Sequence, residues 1–288
     1  MPSAADHVTA RLLGPLEVER AGRAVPLGGR MQRALLARLL LDANRTVAID
    51  RLVADLWGEA APASAVKMIH IYVSKLRKEL PAGVLVTRAP GYALMIEPEA
   101  LDLTRFERLR EEGRAALADG LAAKAAERMQ EALALWRGPA LAEFEEPFSI
   151  VESARLEELR LLSVEDRIDA DLALGRHAGV LGELDALVAG HPLRERLSGQ
   201  LMLARYRSGR QAEALAGYRE LRELLMTEFG IEPWPALREL ERRILQQDRG
   251  LDLVAVQPRR RPLPAPAATR RRRGPRLAAR RLGCVGGT

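Results

Sequence analysis

Residues 64–80 read Ser64-Ala65-Val66-Lys67-Met68-Ile69-His70-Ile71-Tyr72-Val73-Ser74-Lys75-Leu76-Arg77-Lys78-Glu79-Leu80, and Pro81 follows. Val66, Ile69, Val73, Leu76 and Leu80 recur at steps of three and four, the spacing of one helical stripe. At about 100° per residue the opposite face carries Ser64, Lys67, Ile71, Ser74, Lys75 and Lys78. His70, Tyr72 and Arg77 flank it. The segment therefore predicts a helix that buries one side and shows three lysines on the other. Such a face suits the major groove of DNA, which is wide enough to admit a helix. Lysines and Arg77 reach phosphates or guanine edges, Ser74 is a phosphate donor, and Ile71 can meet a thymine methyl. An ordinary solvated helix face looks the same in isolation, so the neighbours decide.

Upstream, a helix over 31–42 carries Leu35, Leu36, Leu39 and Leu40 on one stripe, and a second helix over 49–57 follows. Thr46-Val47-Ala48 between them reads as a short strand. Pro62 stands where the third helix starts, a favoured place for proline. Downstream, strands over 84–88 and 92–96 are joined through Ala89-Pro90-Gly91. Proline presets one dihedral there and glycine tolerates positive φ. Three helices and then a hairpin is the order of a winged helix-turn-helix. The hairpin offers Thr87 to a phosphate and Arg88 to the adjacent minor groove. Tyr92 has two readings, packing under the wing or bonding a phosphate. Trp57 reads as packing at the end of the second helix, with an indole–phosphate contact as the lesser reading. Before all this come strand-like pieces over 8–13, 16–19 and 23–27, the last two joined by a turn at Ala21-Gly22.

From about Leu101 the pattern is helical throughout. Phe106, Leu109, Gly113 and Leu117 share a face, as do Met129, Leu133 and Trp136. Further helices fit 150–174, 180–189, 193–207, 212–228 and 235–247. Gly175-Arg176 recurs as Gly209-Arg210, an offset of 34 residues. At the same offset Leu172 matches Tyr206, Leu181 matches Leu215, Leu184 matches Tyr218 and Leu187 matches Leu221. That is the period of tetratricopeptide repeats, in which helix pairs bury their faces by stacking. Trp136 and Trp234 read as core or inter-helix staples, and His191 as a helix-terminus residue.

The fold class is mainly α with a small β component. A winged-helix domain spans 1–98, a tetratricopeptide-like domain 99–250 and an Arg/Pro-rich tail 251–288. The chain has 288 residues, 48% of them hydrophobic, which is ample for buried cores. Lys and Arg number 45 against 39 Asp and Glu, a net charge of +6. Residues 1–98 are net +4, residues 99–252 net −8, and residues 253–288 hold ten arginines and no acid. The surplus charge is therefore mostly in the tail. Only Lys67, Lys75, Lys78 and Lys124 are lysine, a bias of GC-rich coding, so position informs more than residue type. One cysteine, Cys284, excludes an intrachain disulfide. Four scattered histidines offer no metal spacing, and no cofactor is expected. No phosphate-cradling loop or nucleophile motif appears, so an enzyme is not expected. Eleven aromatic residues are too few for single-stranded RNA platforms. The start lacks a signal pattern and no apolar run approaches the ~18 residues of a membrane span, so the expected location is the cytoplasm, at the nucleoid, with no membrane partner.

The order and the words of the sequence resemble the Streptomyces antibiotic regulatory protein family, an OmpR-like winged helix joined to a bacterial transcriptional activator domain. In the head the resemblance rests on Leu13-Gly14-Pro15-Leu16-Glu17-Val18, Gln32-Arg33-Ala34-Leu35-Leu36-Ala37, Asp50-Arg51-Leu52-Val53, Leu56-Trp57-Gly58, Tyr72 to Lys78 and Thr87 to Tyr92. In the body it rests on Ala132 to Gly138, Ala154 to Arg160, Gly190 to Glu195, Tyr206 to Leu215 and Glu228 to Pro233. The resemblance implies binding to tandem direct repeats in double-stranded promoter DNA, recruitment of RNA polymerase holoenzyme, self-association on DNA, and control of antibiotic biosynthetic genes. DNA contacts carried over fall on Lys67, Tyr72, Ser74, Lys75, Arg77 and Lys78, and in the wing on Thr87, Arg88 and Tyr92. Lys67 and Met68 stand where members more often have small polar residues, so the operator sequence does not transfer. The repeat signal leaves a second reading open: a protein-binding adaptor with secondary DNA binding. The tail lies outside the family pattern and reads as disordered. It could add nonspecific DNA affinity, bind RNA or an acidic surface, or be an unselected extension, and the last is preferred.

Overall fold

A small antiparallel sheet opens the chain, with β1 (Val8–Arg11), β2 (Glu17–Arg20) and β3 (Arg23–Ala24) in that order. The β2–β3 turn is tight because Ala21 and Gly22 both take positive φ. Then come α1 (Arg30–Leu41), β4 (Thr46–Ala48), α2 (Ile49–Trp57), α3 (Ala65–Glu79), β5 (Leu85–Arg88) and β6 (Gly91–Leu94). This computed structural model describes residues 7–252, and those residues form one compact unit. Strands β4, β6 and β5 make the second sheet in that order, with β6 in the middle. The expected winged helix-turn-helix order is present, with boundaries shifted by a few residues.

Two local expectations are corrected. Val66 is 42% exposed, not buried, because the stripe enters through Ala65, four residues before Ile69. At the wing tip Gly91 does not take a positive φ. Glycine is needed there for another reason. Gly91 pairs with Ala48 on one side and Arg88 on the other, and a Cβ on it would lie 1.9 Å from the Val47 carbonyl oxygen. The side chain is absent so that β4 can close on β6.

The body is seven helices: α4 (Asp102–Ala118), α5 (Ala122–Leu133), α6 (Pro147–Ala173), α7 (His177–Gly190), α8 (Glu195–Arg207), α9 (Gln211–Phe229) and α10 (Pro235–Leu245). The 34-residue echo marks real geometry. Ala173 and Arg207 end their helices, and His177 and Gln211 start the next, at that same offset. Leu172 and Leu184 lie in one core cluster and Tyr218 and Leu221 in the next. Gly175 and Gly209 turn the chain in the left-handed region. A third hairpin, α4–α5, uses the same device at Gly120. Its period is hidden in the sequence by the long stretch 134–146 before α6. Trp136 stands edge-on to Phe106 with centroids 5.5 Å apart, the staple expected. Trp234 does not: it is 72% exposed, because it precedes α10 and only its backbone is engaged, donating to Glu195 at 2.6 Å. His191 caps the end of α7, as expected. Among the described residues no helix is long and apolar enough to cross a membrane, and no cluster of His, Cys, Asp or Glu could hold a metal. Cys284 and the tail readings lie outside the described residues.

The chain crosses residue 98 without leaving the core. A single apolar cluster runs from Val8 and Leu12 through Leu36, Ile69 and Leu94 to Leu101, Phe106 and Leu156. Polar groups stitch the same seam. Asp102, 6% exposed, accepts the Leu12 amide at 2.7 Å and the Leu13 amide at 3.0 Å. Burial pushes its carboxyl up from the usual range, while the Leu12, Leu13 and Leu103 amides and Arg137 pull it back. The Arg137 amide donates to the Leu13 carbonyl at 2.8 Å, and its guanidinium donates to the Pro15 carbonyl at 2.8 Å. Glu143 accepts the Leu16 amide at 2.6 Å and pairs with Arg33 of α1. Arg30 donates to the buried Glu146 at 2.9 Å.

Two substitutions test this account. Asp102→Asn replaces one acceptor oxygen by an NH2 group, so one of the two leucine amides is left unpaired. Urea unfolding at pH 7 is expected to show a loss of about 1–3 kcal/mol. A midpoint equal to that of the parent would mean that the seam does not depend on this carboxylate. Gly91→Ala forces β4 and β6 apart and is expected to cost about 3 kcal/mol by the same measurement. The neutral outcome would disprove the close approach.

Candidate nucleic-acid interface

Helix α3 sits on the rest of the head through Ala65, Ile69, Val73 and Leu76, all buried, with Leu80 closing its end. Helices α1 and α2 back it. They are locked to each other by Asp55, which is buried and accepts from Arg38 at 2.5 Å and from Arg51 at 2.9 Å. Arg38 also reaches Asp42 at 2.7 Å. Desolvation of Arg38 is outweighed by these carboxylates, which hold its guanidinium more firmly protonated than usual. A rigid two-helix base therefore fixes the angle at which α3 faces solvent.

Lys67, Ile71, Ser74, Lys75 and Lys78 are all exposed on that face, as expected, and Ile71 is 43% exposed. Lys67, Lys75 and Lys78 make no ion pair among the described residues, and neither does Arg88. Many arginines of the body, in contrast, are tied to carboxylates. Arg194 bonds Glu158 at 2.7 Å and Glu165 at 3.0 Å, and Arg196 bonds Asp166 and Asp169, both at 2.6 Å. The head thus presents cations that no carboxylate pairs with among the described residues. Tyr72 is half-buried and packs on the core from the flank of the face.

The wing completes the surface. Thr87 and Arg88 are exposed on β5, and the Ile49 amide at the start of α2 donates to the Pro90 carbonyl at 3.2 Å. The wing tip is thereby tied to the helix-turn-helix. Tyr92 is 7% exposed. Of its two readings the packed one describes its position: the ring stands edge-on to His70 at 6.3 Å and lies under the Arg77 guanidinium at 5.8 Å. Trp57 is half-buried against the core.

One connection was invisible in the sequence. Arg77 is not a free cation. Its Nε donates to the Leu85 carbonyl at 2.9 Å and its Nη2 donates to the Thr87 hydroxyl oxygen at 2.8 Å. Both partners belong to β5. Two residues that each read as open to DNA are therefore bonded to one another across the helix–wing junction.

The comparisons with known proteins agree with this geometry. A family model described as the bacterial transcriptional activator domain matches residues 101–245. One described as the C-terminal part of transcriptional regulatory proteins matches residues 22–94. The regulatory protein AfsR of Streptomyces griseus is 44% identical over 258 residues, which cover 90% of this chain and 26% of AfsR. This chain thus spans about a quarter of that relative's length. The regulatory protein DnrI of Streptomyces peucetius is 40% identical over 253 residues, covering 84% of this chain and 93% of DnrI. Among solved structures, EmbR of Mycobacterium tuberculosis in complex with a low-affinity phosphopeptide matches with a TM-score of 0.79 at 39% identity. The match covers 84% of this chain and 65% of that one. With both family models in the expected order, and DnrI matched over nearly its whole length, the chain belongs to the Streptomyces antibiotic regulatory protein family of transcriptional regulators.

Proposed function

We propose that this regulator is a sequence-specific activator of secondary-metabolite (antibiotic) biosynthetic genes. It binds tandem direct repeats in double-stranded promoter DNA, each protomer placing α3 in the major groove and the wing in the adjacent minor groove. Neighbouring protomers sit head to tail and recruit RNA polymerase holoenzyme, and the protein catalyses no reaction itself. One observation carries this reading. Lys67, Lys75 and Lys78 are exposed on a helix whose opposite side is buried, beside a wing that carries Arg88, and none of the four has an ion-pair partner among the described residues. Free cations on a rigid face are what releases counterions from a phosphate backbone. Self-association has support in the last hairpin, where Phe229 and Ile231 at the end of α9 and Trp234 before α10 are all more than half exposed.

A mobility-shift titration with direct-repeat promoter DNA tests the reading. Lys75→Ala combined with Lys78→Ala is expected to lower affinity by about 1–3 kcal/mol for each base contact removed. A lysine on a phosphate would instead lower the salt slope by about one unit. Binding that keeps both its affinity and its salt slope would remove α3 from the interface.

A further inference from the structure

The Arg77 guanidinium spans the gap between α3 and β5. Its two bonds, to the Leu85 carbonyl and to the Thr87 hydroxyl oxygen, enter from one edge of the planar fork. The guanidinium carbon lies over the ring of Tyr92, 5.8 Å from its centroid, and Tyr92 is buried on β6. The three partners come from both strands of the wing. Such a three-way fit needs a rigid, planar, multi-donor group, and a lysine ammonium cannot reproduce it. The neighbouring Lys75 and Lys78 have no such partners among the described residues.

Thr87 has one further property in this arrangement. Its oxygen accepts from Arg77, so its own O–H proton is left to donate elsewhere. Arg88 follows it immediately and is exposed. A strut on Thr87 therefore sets the place of the next side chain along the strand.

We infer that Arg77 is a positioning residue for DNA recognition: it latches the wing to the recognition helix and thereby aims Thr87 and Arg88, rather than itself reading the nucleic acid. The inference rests on the DNA-binding reading above and deepens it. A binding surface built of two elements needs both at a fixed separation, and preorganising that separation removes an ordering cost from association. The latch is made in the free protein, so the cost is met at folding.

The test uses the full chain in mobility-shift titrations with the direct-repeat promoter DNA. Arg77→Lys keeps the charge and removes the fork. It is expected to weaken specific binding about tenfold, and Thr87→Val to weaken it by a similar factor. Thr87→Ser keeps the acceptor oxygen and is expected to recover most of the affinity that Thr87→Val loses. In the Arg77→Lys background, Arg88→Ala should cost clearly less than it does in the parent, because the wing is no longer aimed. Lys75→Ala should cost the same in both backgrounds. Amide exchange in the free protein gives a DNA-independent readout: the β5 amides should exchange faster in Arg77→Lys while α1 and α8 are unchanged. Parent-like binding by Arg77→Lys overturns the inference, since the charge alone would then suffice. Independent, multiplying effects of Arg77→Lys and Arg88→Ala overturn it as well. Failure of the underlying reading looks different. There, Lys75→Ala and Arg88→Ala would both leave binding unchanged in the parent.

Discussion

Strand β1 ends at Arg11, and the next two residues, Leu12 and Leu13, lie beyond its paired register with β2. Both leucines are fully buried. A buried amide without an acceptor costs about 1–3 kcal/mol, so two of them would make this connection untenable. Asp102, at the first position of α4, supplies both acceptors. The first strand of the head is thus completed by the first helix of the body. Everything that follows is built on that joint. Arg137 and Glu143 add to it from the far side of α5, and the apolar cluster closes around it.

The charge balance takes on a different meaning in three dimensions. The body carries an excess of acid, which in the sequence looks like a surface for a basic partner. Five of these acids are buried: Asp102, Glu146, Glu165, Asp166 and Asp171. Glu165 is 1% exposed, held between Arg194 and Arg196, and burial pushes its carboxyl up against their pull. Asp171 is buried between Arg167 and Arg176. These carboxylates brace α6 against α7 and α8. The lysines of α3 have no carboxylate partner of this kind among the described residues.

Helix α3 was legible because its buried row at helical spacing has lysines opposite and its neighbours complete the winged helix-turn-helix order. The 34-residue hairpins were legible for the same reason, since each is a local unit repeated. What could not be read was pairing between distant elements. Asp102 lies some ninety residues from the amides it accepts, and nothing near it in sequence marks it as buried. Arg77 and Thr87 are ten residues apart on different elements, and each alone has the look of a free polar group. Gly91 reads as part of the turn but begins β6, and its need for glycine comes from Val47, on a strand more than forty residues earlier. Val66 and Trp234 show the converse limit. Val66 lies off the Ala65–Ile69–Val73 stripe by one residue of phase, and Trp234 precedes α10, so both side chains stay in water.

The Asp102 joint also bears on what counts as a part of this protein. Two family models meet between residues 94 and 101, and a reader of the sequence would cut there. The physical seam is elsewhere. A cut at that point would strip Leu12, Leu13 and Leu94 of the side chains of Leu101 and Phe106 that lie in the same cluster, and would leave two amides facing nothing. The helices that follow the winged helix are therefore its foundation as well as its cargo, and a change of register in the body would be felt as a tilt at the DNA-facing end.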